Sequence, residues 1–169
     1  KLFERAHPCL VNKDSYIGNV NGVMNAVITE GEPVGESVLQ GEGAGPGPTS
    51  SALMSDLLSI LRGNIKFPFG IPNMKRKSIK VFNYDNYVNS LYLRFEVKDK
   101  PGVLAQITNR LALKNISVER LIQIPNYKNK TASIVIITHK SKELDAQHCI
   151  NAISKSKNIL KYPTLIRLL

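Results

Sequence analysis

From Ser90 onward the apolar residues change period in an order that few folds accommodate. Leu91, Leu93, Phe95 and Val97 alternate with Tyr92, Arg94, Glu96 and Lys98, as in a strand with one face buried. Asp99-Lys100-Pro101-Gly102 then turns the chain into a helix carrying Val103, Ile107 and Leu111 on one face, and Asn115 ends it. Pro101 suits the first helical turn, where its missing N–H costs nothing, and Gly102 lets a ligand approach the backbone closely. A strand is expected over residues 116–124, a polar loop over 125–130 and a β-branched strand over 132–138. Ala146, Cys149, Ile150 and Ile153 stand at helical spacing, and residues 163–168 form a last strand. The order βαββαβ predicts an antiparallel sheet with both helices on one face.

The first half reads differently. Residues 1–11 form one expected strand, residues 18–21 a turn, and residues 23–29 pair through Glu30-Gly31-Glu32-Pro33 with residues 34–39 as a hairpin. So few strands bury no core of their own, and this piece is expected to pack on partners outside it. Next comes Gly41-Glu42-Gly43-Ala44-Gly45-Pro46-Gly47-Pro48-Thr49-Ser50-Ser51-Ala52, a stripped loop feeding a helix. Free N–H groups and the positive end of a helix dipole converge at such a place and suit an anion or a developing oxyanion. The spacing is neither a Rossmann fingerprint nor a P-loop, since no strand opens a βαβ unit before it and no Lys follows. Taken alone, the stretch equally describes a Gly/Pro surface linker ahead of a capped helix. Leu53, Met54, Leu57, Leu58 and Leu61 make one apolar stripe, Ser50 or Ser51 is the expected cap, and Gly63 the stop. Residues 64–88, with Pro68, Gly70, Pro72 and Lys75-Arg76-Lys77, read as a linker holding one short strand over 79–82.

The formal charge of +10 is unevenly spread: −4 over residues 1–61, +5 over 62–88 and +9 over 89–169. A basic βαββαβ unit raises the question of RNA, but such readers present aromatic residues on the third strand. Here that strand reads Thr131-Ala132-Ser133-Ile134-Val135-Ile136-Ile137-Thr138-His139, so no nucleic acid is expected. The basic triplet at 75–77 is read as a solvated linker. No apolar run reaches the roughly 18–20 residues of a membrane span, so no membrane partner is expected either. Cys9 and Cys149 are expected as reduced, packed thiols of a cytoplasmic protein. His7, His139 and His148 lack metal-ligand spacing, so no metal is expected, and Lys13, Asp14 and Glu30 read as turn or surface residues. The chain opens on Lys1, without Met, on a strand-like run, which reads as an internal boundary.

Three stretches, His7-Pro8-Cys9-Leu10-Val11, Val20-Asn21-Gly22-Val23-Met24-Asn25-Ala26-Val27 and Gly41 to Ala52, resemble the HPxxV, VNGVxNAV and GxGAGxxPTxSA motifs of homoserine dehydrogenase. They come in that family's order and spacing. Asp99-Lys100-Pro101-Gly102-Val103-Leu104 and Asn115-Ile116-Ser117-Val118 resemble the DxPGVL and NIxI segments of ACT domains, small regulatory modules. The resemblance covers essentially the whole chain. It implies an α+β protein: residues 1–63 end a mixed-sheet substrate domain, 64–88 form a linker and 89–169 a ferredoxin-like ACT domain. It implies NAD(P)-dependent interconversion of L-homoserine and L-aspartate 4-semialdehyde, with Gly43, Ala44, Gly45 and Thr49 beside the cofactor. The family's nucleotide fingerprint and catalytic lysine would precede Lys1, so this stretch alone is expected to be inactive, with no catalytic residue and no bound cofactor of its own. For an amino-acid effector, threonine by resemblance, the candidates are Asp99, Gly102, Val103, Leu104 and Asn115. A homodimer is expected through residues 89–169. The competing reading is a free-standing ACT module for amino-acid binding or dimerisation, which would have no use for the loop at 41–52.

Overall fold

The computed structural model describes residues 2–64 and 70–169. Lys1 and residues 65–69 of the expected linker, Pro68 included, lie outside the described residues. In chain order, β1 (Cys9–Leu10) precedes β2 (Met24–Gly31), β3 (Gly35–Glu42), α1 (Pro46–Leu61), β4 (Val88–Asn89) and β5 (Leu91–Lys98). Then follow α2 (Val103–Ala112), β6 (Val118–Asn126), β7 (Thr131–Thr138), β8 (Ser141–Lys142), α3 (Glu143–Ser154) and β9 (Thr164–Leu168). The chain divides into two compact units: Val11–Ile79, and Lys1–Leu10 together with Lys80–Leu169.

The second unit carries the core. Its sheet runs β1-β9-β5-β7-β6, antiparallel throughout except for β1, which lies parallel to β9. Leu91, Leu93, Phe95 and Val97 of β5 are all buried, as the alternation demands, and meet Ile134 and Ile136 of β7. From the helices come Val103, Ile107 and Leu111 of α2 and Ala146, Ile150 and Ile153 of α3. Each large side chain so buried contributes about 1.5–3 kcal/mol relative to exposure. The elements of residues 91–168 therefore follow the expected βαββαβ order. Bounds shift by a residue or two: β6 starts and ends two residues later than expected, β7 starts one residue earlier and β9 one later.

The opening strand is shorter than expected. Only Cys9 and Leu10 form a ladder, Cys9 opposite Arg167 and Leu10 opposite Leu168. Pro8 has no N–H to give a ladder, so pairing starts after it. The strand expected over 79–82 reduces to one bridge between Leu2 and Val81. Residues 2 and 9–10 thus pair with the C-terminal unit, although in sequence they lead into residues 11–63.

In the unit Val11–Ile79, β2 and β3 pair from Met24 opposite Glu42 to Gly31 opposite Gly35. The chain reverses at Glu32-Pro33-Val34, with a cis Glu32–Pro33 bond. Helix α1 starts at Pro46, four residues before the first expected cap. Ser50 is therefore inside the helix, and its Oγ donates to the Pro46 carbonyl. Pro46 presets the helical φ at the first position and Gly45 occupies the cap position, so no hydroxyl cap is used. The stop at Gly63, in the left-handed region at φ 72°, falls where the sequence placed it. No residue of α1 is buried.

Candidate functional site

The turn between β5 and α2 opens a cavity of about 390 Å³, lined by residues 97–104 with Gln123 and Ile134. Its floor is the end of the core, Val97, Val103 and Ile134. Gly102 has φ 86°, a conformation a side-chain-bearing residue enters at a cost of about 1–2 kcal/mol. A Cβ placed there would meet nothing within 4 Å. Glycine is therefore set here by the backbone angle and leaves the cavity mouth open. The Val103 N–H reaches the Lys100 carbonyl at 3.4 Å and the Gln106 N–H the Gly102 carbonyl at 2.9 Å. The Val103 amide is thereby engaged within the turn, and Leu104, at a helix position without an intrahelical acceptor for its N–H, also lines the cavity.

Asp99 is fixed through its own N–H, which donates to the Lys130 carbonyl at 3.0 Å. Its Oδ1 accepts from Gln123 Nε2 at 3.4 Å. The cavity thus sets a carboxylate, an amide side chain and the positive end of a helix around one space, with Lys98 and Lys100 at its wall. That donor set matches a small zwitterion: ammonium toward Asp99, carboxylate toward the helix start.

Asp99, Gly102, Val103 and Leu104 all line this cavity, so the structure brings four of the five expected effector residues together. Asn115 stands apart. It follows the C-terminal end of α2 with φ 55°, its N–H on the Ala112 carbonyl. The ten residues of α2 separate it from the cavity, about 15 Å at 1.5 Å per residue. Gln123 is a cavity residue the sequence reading missed. Its place is fixed by the strand register, which sets it opposite buried Ile134.

The second candidate is the loop between β3 and α1. The Gly43 N–H donates to the Val23 carbonyl at 2.8 Å. A Cβ on Gly43 would lie 1.7 Å from Asn25 Nδ2, so any other residue there collides with the neighbouring strand motif. The two motifs are therefore one local structure. Gly43 spends its amide on the hairpin and offers none to a ligand. Prolines at 46 and 48 contribute no N–H, which leaves Ala44, Gly45 and Gly47 to supply amides at this exposed bend. Thr49 lies one turn into α1 with its N–H on the Gly45 carbonyl at 3.2 Å.

His7 Nδ1 lies 3.1 Å from both the Pro8 carbonyl oxygen and Cys9 Sγ, the environment of a structural imidazole. Cys149 is buried between α2 and α3, its Sγ donating to the Arg110 carbonyl, and burial pushes this thiol up. Among the described residues no group of three His, Cys, Asp or Glu could hold a metal ion, and no helix is long and apolar enough to cross a membrane.

Known families divide the chain along these two candidates. The homoserine dehydrogenase family model matches residues 3–58, and the ACT domain model matches residues 91–157. The chain corresponds to the C-terminal part of a homoserine dehydrogenase. The homoserine dehydrogenase of Neisseria gonorrhoeae is 37% identical over 97% of this chain, and that of Synechocystis is 33% identical over 98%. A solved homoserine dehydrogenase from Thiobacillus denitrificans matches 99% of the chain with a TM-score of 0.84 at 29% identity. The chain spans 39% of the length of each of these relatives.

Proposed function

We propose that this chain belongs to an NAD(P)-dependent homoserine dehydrogenase that interconverts L-homoserine and L-aspartate 4-semialdehyde in the cytoplasm. The observation that carries the reading is the interlock of Gly43 with Asn25, because it joins two dehydrogenase motifs into one exposed bend. The cofactor supplies hydride chemistry, and this chain contributes to its wall the backbone of Ala44 and Gly45. Gly43 holds that bend against the hairpin, and Thr49 lies one turn further on. The residues that would bind the nucleotide and move the proton are not part of this stretch, which by itself is inactive. A free-standing regulatory module would have no use for the bend.

The ACT domain takes an amino-acid effector in the cavity at residues 97–104, threonine by family resemblance. Its sheet supports pairing of two copies. Strand β6 ends the sheet order, leaving Ile122 56% and Ile124 58% exposed, and an open apolar edge favours a second chain. The direct test assays the full-length enzyme for homoserine-dependent reduction of NAD(P) and compares Ala44→Asp, which adds a charge at the exposed bend away from the Gly43–Asn25 interlock. Loss of turnover with an intact fold supports the reading. Equal turnover removes the bend from the cofactor wall.

A further inference from the structure

Residues 2–10 are stitched to the C-terminal unit by contacts that no sequence motif announces. The Leu2 N–H donates to the Lys80 carbonyl at 3.2 Å, and the Phe82 N–H returns to the Leu2 carbonyl at 2.7 Å. Phe3 stacks on Tyr87 with ring centroids 4.5 Å apart. At the far end β1 pairs with β9, and the Leu169 N–H donates to the Leu10 carbonyl at 3.0 Å.

At the centre of this strap stands one buried carboxylate. Arg5 clamps Glu143 with both terminal nitrogens, Nη1 to Oε2 at 2.7 Å and Nη2 to Oε1 at 2.8 Å. Arg167 takes the same carboxylate from β9, with Nε on Oε2 at 2.8 Å and Nη2 on Oε1. The Glu143 side chain is 9% exposed and opens α3, where a negative charge also meets the helix dipole. Burial alone would push the Glu143 carboxyl up, but the hydrogen bonds and charges of Arg167 and Arg5 outweigh it and hold it at about 2. Three elements of different sequence origin, the strap, β9 and α3, therefore meet on one charge.

Geometry extends from there to the cavity. Arg167 sits opposite Leu91 at one end of β5, and the other end of β5 supplies Val97 and Lys98 to the cavity wall. Both chain crossings between the two units, at 10–11 and 79–80, leave from this strap and its bridge partners. We infer that Arg5, Glu143 and Arg167 form a latch that makes the strap a fifth strand of the ACT domain, and that this latch carries the effector's influence to the dehydrogenase segment starting at Val11. Its role in transmission rests on the effector reading given above. These are positioning residues: none touches the cavity or the bend.

The test uses the full-length enzyme with Arg5→Gln, which frees the strap while leaving the Arg167–Glu143 pair inside the ACT domain. Glu143→Gln serves as the second variant should the first express poorly. Hydrogen exchange of residues 2–10 is expected to quicken by at least about tenfold, the scale of a lost charged hydrogen-bond pair, while residues 91–98 stay protected. Calorimetric affinity for threonine and the basal homoserine turnover are expected to hold. The response of turnover to threonine is expected to weaken by about fivefold or more, the lower range of coupling between sites. An unchanged strap, an unchanged response with the strap freed, or a joint loss of basal turnover would each overturn the latch. Wild-type enzyme that neither binds nor answers threonine would instead overturn the effector reading, and the transmission claim with it, before any variant is made.

Discussion

The two units of this chain bury their apolar residues to very different degrees. In the unit with the five-stranded sheet, Leu91, Leu93, Phe95 and Leu111 are 0% exposed. In the unit Val11–Ile79, Val34 is 80%, Leu39 69%, Leu53 67% and Leu57 48% exposed. Apart from Val34, which lies in the hairpin turn, both sets stand in apolar-periodic segments. The difference is that the first finds its partners within the chain, whereas a hairpin and one helix cannot cover each other. An apolar stripe that is regular and yet exposed marks a surface shaped for another part of the protein. Here that agrees with a chain spanning 39% of its relatives.

Substitutions can break or sharpen this contrast. The largest effect is expected from Phe95→Ala, which should destabilise the C-terminal unit by about 3–5 kcal/mol, read by urea unfolding. Next comes acid. Glu143 has its carboxyl lowered from an ordinary 4.5 to about 2 in the folded chain, so it contributes stability above pH 4.5 that is lost as pH falls through 2. At 1.36 kcal/mol per unit this amounts to about 3 kcal/mol, and Glu143→Gln should flatten that part of the stability–pH curve. Gly102→Ala should cost about 1–2 kcal/mol through its left-handed φ, measured by the same unfolding. The smallest effect is expected from Leu57→Ala on the exposed face of α1, within about 0.5 kcal/mol in this chain. A Leu57→Ala loss as large as that of Phe95→Ala would erase the distinction between the units.

Much of the C-terminal unit was legible because its signals are local. The alternation at 91–97, the Pro101-Gly102 turn and the stripes of α2 and α3 each need only neighbouring residues. What escaped was long-range or depended on competing local rules. Arg5 and Glu143 stand 138 residues apart, and no period links them, so the pairing of residues 2–10 with the C-terminal unit is not legible in the sequence. The start of α1 was placed at hydroxyls because Ser and Thr cap helices well, but Pro46 and Gly45 together begin it a turn earlier. Gln123 was hidden inside an apolar alternation whose facing partner, Ile134, only the strand register reveals. Of the cofactor-wall candidates, Gly43 proves to be a packing glycine with its amide already used. That distinction between close approach and ligand donation lies beyond what a Gly-rich string conveys.

The role proposed for the ACT domain requires the cavity beneath the Pro101-Gly102 turn to take a small amino acid. Isothermal titration of threonine into the full-length enzyme and its Gly102→Asp variant tests this most directly. A saturable heat with the unsubstituted enzyme, lost when a carboxylate is planted at the open cavity mouth, is the predicted result. Equal binding by both proteins, or no heat from either, would contradict it.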